Sequence, residues 1–218
     1  MEKKLAVVIG AGRGMGNHIA ERFAKENFQV VLVARRQSAL DEYAAGLCAK
    51  GYEIFAKAAD VSDADSLTKL FSDVQEKFGV VDVLVYNTAF MQGGRACEIS
   101  AAEAVEHFKI DVAGAIHCVQ QVLPKQIECG DGAIIFTGGL FGVYPNANFE
   151  YAYMSMDKAA LRALAQMLNA ELKSKGIFVG VVQIMGVVGS SEHFAPKNIA
   201  DAYWQLYCNR NSFEYIFN

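Results

Sequence analysis

Five consecutive apolar residues, Leu5 to Ile9, run directly into Gly10-Ala-Gly12-Arg-Gly14-Met-Gly16, and a helical pattern then continues to Asn27. Strand, glycine turn and helix in that order make the opening half of a βαβ unit, which commits the chain to a parallel sheet. Four glycines in seven residues let the backbone turn tightly and approach a phosphate group closely. The free N–H groups at the start of the following helix then face its negative charge.

The rest of the chain repeats that alternation. Strands are predicted at Gln29–Ala34, Tyr52–Ala56, Val81–Tyr86, Ala133–Thr137 and Phe178–Ile184, with a weaker one at Phe213–Phe217. Most are nearly continuous apolar runs, as expected of strands covered on both faces. Between them, Ser38-Ala-Leu-Asp41, Ser62-Asp-Ala-Asp65 and Ser100-Ala-Ala-Glu103 carry the capping-box spacing that starts a helix. Longer helical segments are predicted at Ser100–Leu123 and Met154–Lys175, and a late one at Ile199–Asn209. The expectation is an α/β fold: a doubly wound parallel sheet of about seven strands with helices on both faces.

Composition excludes several classes. With 53% apolar residues and only three prolines in 218 residues, the chain can bury a core, which a disordered chain cannot. No linker or repeat divides it, so a single domain over residues 1–218 is expected. A net charge of −4 without a Lys/Arg cluster argues against nucleic acid or an anionic membrane as partner. Neither the N-terminal apolar run nor Ile177–Gly189 is long enough for a signal core or a membrane span. Cys48, Cys97, Cys118, Cys129 and Cys208 lie far apart, and His18, His107, His117 and His193 share no ligand spacing with carboxylates or cysteines. No metal site or disulfide framework is therefore expected, and a cytoplasmic location is. The aromatic stripe Tyr203-Trp204-Gln-Leu-Tyr207 reads as packing rather than a base-stacking platform.

The second strand ends in Ala34-Arg35-Arg36, where an NAD site ordinarily offers an acid to the ribose 2′-hydroxyl. Two arginines there, with Arg13 in the glycine loop, suit the 2′-phosphate of NADP instead. NADP(H) is expected in preference to NAD(H).

These residues resemble the short-chain dehydrogenase/reductase family over nearly the whole chain, and the resemblance implies a Rossmann fold. Gly10, Gly14 and Gly16 match the family's Gly-x-x-x-Gly-x-Gly spacing; Asp60-Val61 matches its adenine-contacting pair; Asn87-Thr88-Ala89 falls on its Asn-Asn-Ala-Gly segment, and Gly186 on its Pro-Gly. The implied cofactor-binding set is Gly10, Gly12, Arg13, Gly14, Met15, Gly16, Arg35, Asp60, Val61, Asn87, Thr88, Ala89, Lys158 and Gly186.

The family's catalytic pattern is met only in part. Lys158-Ala-Ala-Leu aligns with the segment that carries the family's Lys, but Met154 stands where its proton-donating Tyr is expected. Gly139 stands at the Ser position and Asp111 at the Asn position. Catalytic candidates are Lys158, Asp111 and two displaced tyrosines. Tyr153 is five residues before Lys158, about 140° around an ideal helix, and Tyr151 is seven before, about 10 Å along it. Thr137, two residues before Gly139, sits too deep along its strand. For both tyrosines, packing at the mouth of the site or at a subunit interface is the competing assignment.

Between Gly186 and the late helix only Val187–Asn198 remain for the lid that covers substrate in the family. The expected function is an oxidoreductase acting on a small-molecule carbonyl or alcohol through a non-standard active site. The alternative is an NADP(H)-binding sensor or partner subunit whose chemistry is impaired. A homodimer or homotetramer is expected from the resemblance.

Overall fold

The computed structural model describes residues 3–218. Seven parallel strands form one sheet: β1 (Leu5–Ile9), β2 (Gln29–Ala34), β3 (Ile54–Ala58), β4 (Val83–Tyr86), β5 (Gly132–Gly139), β6 (Ile177–Ile184) and β7 (Glu214–Phe217), in the spatial order β3-β2-β1-β4-β5-β6-β7. Every residue of β1, β4 and β6 is buried. Each of these strands has a neighbour on either side and helices above and below, so its side chains have no aqueous face and the apolar run is continuous.

The two faces carry separate cores. Val8, Leu32 and Val85 meet Ile19 and Phe23 of α1 (Met15–Lys25), Leu40 of α2 (Gln37–Cys48) and Tyr203 of α8 (Pro196–Asn209). On the opposite face Val7, Leu84 and Ile134 meet Phe71 of α3 (Ala64–Phe78), Val119 of α5 (Gly114–Cys129) and Leu161 of α7 (Ala152–Leu172). Each such side chain contributes about 1.5–3 kcal/mol by leaving water. The late aromatic stripe belongs to the first core, where Trp204 and Tyr207 pack edge-on to Phe23.

Boundaries differ from the sequence expectation where tertiary contacts decide them. β3 begins at Ile54 rather than Tyr52, because its register opposite β2 starts with Ile54 beside Val30. β4 begins at Val83 rather than Val81; the Val81 carbonyl is taken by the Gln126 side chain, and the Asp82 carboxylate accepts the Leu5 N–H. β5 runs two residues past Thr137, since Gly138 and Gly139 continue to pair with Gln183 and Ile184 of β6. Helix starts shift likewise. Arg36, not Ser38, precedes α2, without a side-chain cap, and Asp63, not Ser62, caps α3 by accepting the Asp65 and Ser66 N–H groups. Ser100 does cap α4 (Ala101–Phe108), accepting the Glu103 N–H at 3.1 Å while its hydroxyl donates to the Glu103 carboxylate.

The long helix expected at 100–123 is α4, a π turn over Lys109–Ala113 and α5 in succession, and α5 continues past Pro124 to Cys129. A single-turn helix, α6 (Leu140–Val143), precedes α7, which starts at Ala152, two residues before Met154. No helix among the described residues is long and apolar enough to cross a membrane.

Strand order reverses beside β1: β2 and β3 lie on one side of it, β4 to β7 on the other. A crevice opens at the carboxyl ends of β1 and β4, where open α/β sheets take their ligands.

Candidate nucleotide and catalytic site

Gly10 leaves β1 with φ +85°, and a Cβ there would lie 2.8 Å from the Asn87 carbonyl carbon. The loop thus depends on glycine both for its turn and for its closeness to the end of β4. Gly16 is as tightly constrained, since a Cβ would meet the Gly10 carbonyl oxygen at 2.4 Å. Gly12 and Gly14 face open space, and no side chain caps the N-terminus of α1. The Gly10 and Ala11 N–H groups are spent on the Val33 carbonyl, so the N–H groups left to an anion are those from Gly12 into the uncapped start of α1. Met15 puts its side chain into the core under α1, so only its backbone borders the loop.

A groove of about 270 Å³ continues from Gly10 past Arg35, Asp60, Val61, Asn87, Thr88 and Ala89. Arg13, Arg36 and Ser38 line the adjoining depression on the α2 side. The Asp60 carboxylate accepts both the Oγ and the N–H of Ser62, and with Arg35 nearby it is held below the usual carboxylate range. The Asn87 side chain is spent inside the fold: its Nδ2 donates to the Gly10 carbonyl and its Oδ1 accepts from Thr137. Thr137 also pairs with the buried Tyr203 hydroxyl, which ties it into the core rather than the crevice. Gly186 follows the carboxyl end of β6, and the Phe194 ring lies so close that a Cβ there would collide with it.

Lys158 emerges from α7 behind the groove, almost wholly buried. Its Nζ donates to the Thr88 carbonyl at 2.9 Å and the Thr137 carbonyl at 3.1 Å. An ammonium has three N–H groups, so one remains for another partner. Burial lowers its pKa, with Asp111 and Asp157 opposing the shift.

The other catalytic candidates divide. Asp111 lies beside Lys158: the π turn that carries it packs against α7, and the carboxylate is fully buried, both oxygens accepting the Phe90 N–H. An acid on a helix is ordinarily solvated; here the π turn directs it inward. Tyr153 is also buried, but its hydroxyl donates to Glu103 on α4, its ring stacks on His107, and burial together with Glu103 raises its pKa. The geometry brings it to α4 and not to the crevice, which corrects its candidacy as proton donor. Tyr151 is half-buried, stacked on Phe141 with its backbone bridged to Gly94. The Met154 thioether is buried and offers no proton.

Sequence reasoning set His107 aside as lacking ligand spacing with any carboxylate, which the structure corrects, and it did not name Asp157. With Asp111 they form a buried trio whose potential ligand atoms all lie within 4.8 Å of one another. The His107–Asp111 spacing is visible in the sequence, but Asp157 joins them only through the packing of α7 on the π turn.

The family model for short chain dehydrogenases matches residues 4–198. An uncharacterized oxidoreductase of Staphylococcus saprophyticus is 29% identical over 215 residues, 93% of this chain and 90% of that protein. A 3-oxoacyl-[acyl-carrier-protein] reductase of Staphylococcus epidermidis is 31% identical over 199 residues, 91% of this chain and 81% of that protein. Among solved structures, an alcohol dehydrogenase from Thermococcus sibiricus complexed with 5-hydroxy-NADP superposes with a TM-score of 0.86 at 26% identity, covering 99% of this chain and 96% of that one.

Proposed function

Because the chain belongs to the short-chain dehydrogenase family, we propose that it is an NADP(H)-dependent oxidoreductase for a small carbonyl or alcohol, with a proton path other than the family's Tyr. The observation that carries this reading is the continuous edge from the glycine loop to Asn87, with Arg35 inside the groove and Arg13 and Arg36 beside it. The residues fit the cofactor: Gly12 and Gly14 leave open space where a pyrophosphate needs close backbone, and no carboxylate occupies positions 34–36 to repel a 2′-phosphate. Bound, reduced nicotinamide supplies hydride.

The chain's own groups do the rest. The loop N–H groups would hold the pyrophosphate, and the arginines would grip the 2′-phosphate through charge-assisted bonds. Asp60 and Val61 would lie at the adenine end and Gly186 at the nicotinamide end, and Lys158 would offer its remaining N–H to the ribose. With Met154 and Gly139 in the family's Tyr and Ser positions, substrate orientation rests on fewer hydrogen bonds, and slow turnover is expected.

The expected partners are a small-molecule substrate and further copies of this chain. Val105, Phe108 and Met167 are exposed on α4 and α7, which suits a homodimer or homotetramer and is read directly by light scattering.

The purified chain should oxidise NADPH when given a panel of carbonyls that includes a 3-oxoacyl-[acyl-carrier-protein], the substrate in the name of the Staphylococcus epidermidis relative. Tight NADPH binding with no oxidation across the panel would replace this reading with the sensor or partner-subunit one.

A further inference from the structure

Two buried carboxyl groups stand behind the crevice without a cationic side chain to balance them. Asp111 and Asp157 are 0% and 3% exposed, on the π turn and on α7. The Lys158 Nζ donates to the Thr88 and Thr137 carbonyls and makes no ion pair with either of them. Among the described residues, the one basic side chain within 4.0 Å of the pair is His107 of α4, itself 1% exposed. Left ionised away from water, two such groups are costly unless positive charge is placed among them.

His107 is held as a metal ligand is held. Its ring is clamped between the Phe90 and Tyr153 rings, each 4.2 Å away centre to centre. Gln92 Oε1 lies 3.4 Å from Nε2 and takes the hydrogen of that nitrogen, which leaves the lone pair on Nδ1. An oxygen on the far ring nitrogen fixes the tautomer and the ring plane, as the outer partners of metal-bound imidazoles do. Nδ1 faces Asp157 Oδ2 at 3.9 Å, and neither atom has any hydrogen-bond partner. Two buried lone pairs aimed at one another repel unless something positive stands between them. Both Asp111 oxygens accept the Phe90 N–H, and each keeps a further lone pair.

The spacing suits a small divalent cation. One ligand atom from each of His107, Asp111 and Asp157 can be chosen so that all three lie within 4.8 Å of one another. Around a zinc ion, with bonds of about 2.0–2.2 Å, the ligand atoms of a tetrahedron stand about 3.3–3.6 Å apart. The 3.9 Å between Nδ1 and Oδ2 therefore has to close by roughly half an ångström or less. A divalent cation against two carboxylates and a neutral imidazole leaves the cluster without net charge. The imidazole nitrogen favours a transition-metal ion over magnesium or calcium, which prefer oxygen ligands alone.

We propose that His107, Asp111 and Asp157 form a buried site for one divalent transition-metal ion of the zinc type, which ties α4, the π turn and α7 together behind the crevice. The role of the ion is structural, since none of its three ligands lines the nucleotide groove. Phe90, whose N–H is held by Asp111, does line that groove, so the ion steadies one of its walls. The ligands come from two distant stretches of chain and meet only when the elements pack, so metal binding adds directly to folding free energy. A proton on the carboxyl pair is the competing occupant. The proposal is independent of the oxidoreductase reading, because it needs neither cofactor nor substrate.

The test uses the full chain, dialysed against a chelator, with zinc chloride as the probe. Its histidine side chains are labelled with nitrogen-15 and read by NMR, because the exposed Cys48, Cys97, Cys129 and Cys208 offer zinc other ligands and only the ring nitrogens report on the cluster. Zinc should move the Nδ1 resonance of His107, identified by its loss in His107→Gln, and should raise the Tm. Magnesium chloride at the same concentration should do neither. Asp157→Asn should bind zinc at this site at least about a hundredfold more weakly, since loss of an outer partner alone costs roughly 10–100-fold.

Because the site closes on folding, zinc is offered both to the native chain and during refolding from urea. A His107 resonance that stays unmoved by either route overturns the proposal and leaves the proton as occupant. Zinc held only by cysteines, seen as a thiolate charge-transfer band in the cobalt-substituted chain with His107 unmoved, overturns it as well. So does a His107 shift that survives in Asp157→Asn at unchanged zinc concentration. If that variant does not fold, the wild-type His107 resonance still decides.

Discussion

At the scale of single residues, chemistry follows from what surrounds a side chain more than from its type. Lys158 was legible in the sequence because Lys-Ala-Ala-Leu resembles the segment that carries the family's lysine, and the structure adds the two carbonyls that hold its Nζ. Tyr153 was equally visible, but its hydroxyl is tied to Glu103, fifty residues away in sequence, a pairing no local pattern encodes. Asp157 was hidden for the same reason: an aspartate beside a lysine on a helix reads as solvated until α4 and the π turn close over it. Its burial makes stability depend on pH in a definite direction. The folded state raises its pKa to about 7, so between the ordinary aspartate range and neutrality the native chain binds a proton that the unfolded chain has released. This contribution is fully present below the unfolded pKa and is lost as pH rises through about 7. Thermal melts of wild type and Asp157→Asn across that window should show the wild type losing stability towards neutral pH relative to the variant. A constant difference between the two melts would mean that Asp157 is ionised throughout.

At the scale of elements, strands were easier to read than the segments between them. A strand with helices on both faces must be apolar at every position, so β1 and β2 were legible residue for residue. β3 and β4 slipped by two residues because neighbouring strands set their register and, before β4, the Gln126 side chain occupies the Val81 carbonyl. Capping was legible at Ser100, where serine and glutamate satisfy one another locally, and shifted at Ser62, where Asp63 takes the role and leaves Ser62 to hold Asp60. The π turn carries no sequence signature of its own, yet it is what turns Asp111 inward. The glycine loop is the element on which the site depends most. In Gly16→Ala the new methyl would meet the Gly10 carbonyl oxygen at 2.4 Å, so α1 must move away from β1. Forcing a methyl into so close a contact costs about 1–3 kcal/mol. Calorimetry should find a lower Tm, and NADPH should bind at least about tenfold more weakly, the equivalent of about 1.4 kcal/mol. Unchanged affinity would mean that the loop does not contact the cofactor.

At the scale of the whole molecule, the alternation of strands and helices determined the architecture, and the architecture determined where to look. Gly10, Arg35, Asp60, Asn87 and Gly186 are scattered through the chain, but each follows the carboxyl end of a parallel strand, so the sheet gathers them along one edge. That much of the site was legible because topology converts position in the sequence into position in space. The buried cluster of His107, Asp111 and Asp157 was not, because it depends on how α4, the π turn and α7 pack together. The central claim is that this edge binds NADP(H), with Arg35 reading the 2′-phosphate. Its most direct test is equilibrium titration of the full chain with NADPH and with NADH, repeated on Arg35→Asp. A charge-assisted bond to phosphate is worth about 1.5–3 kcal/mol, so NADPH should bind at least about tenfold more tightly than NADH, and the substitution should erase or reverse the gap. Equal affinities in the wild type, or a gap that survives Arg35→Asp, would contradict the account.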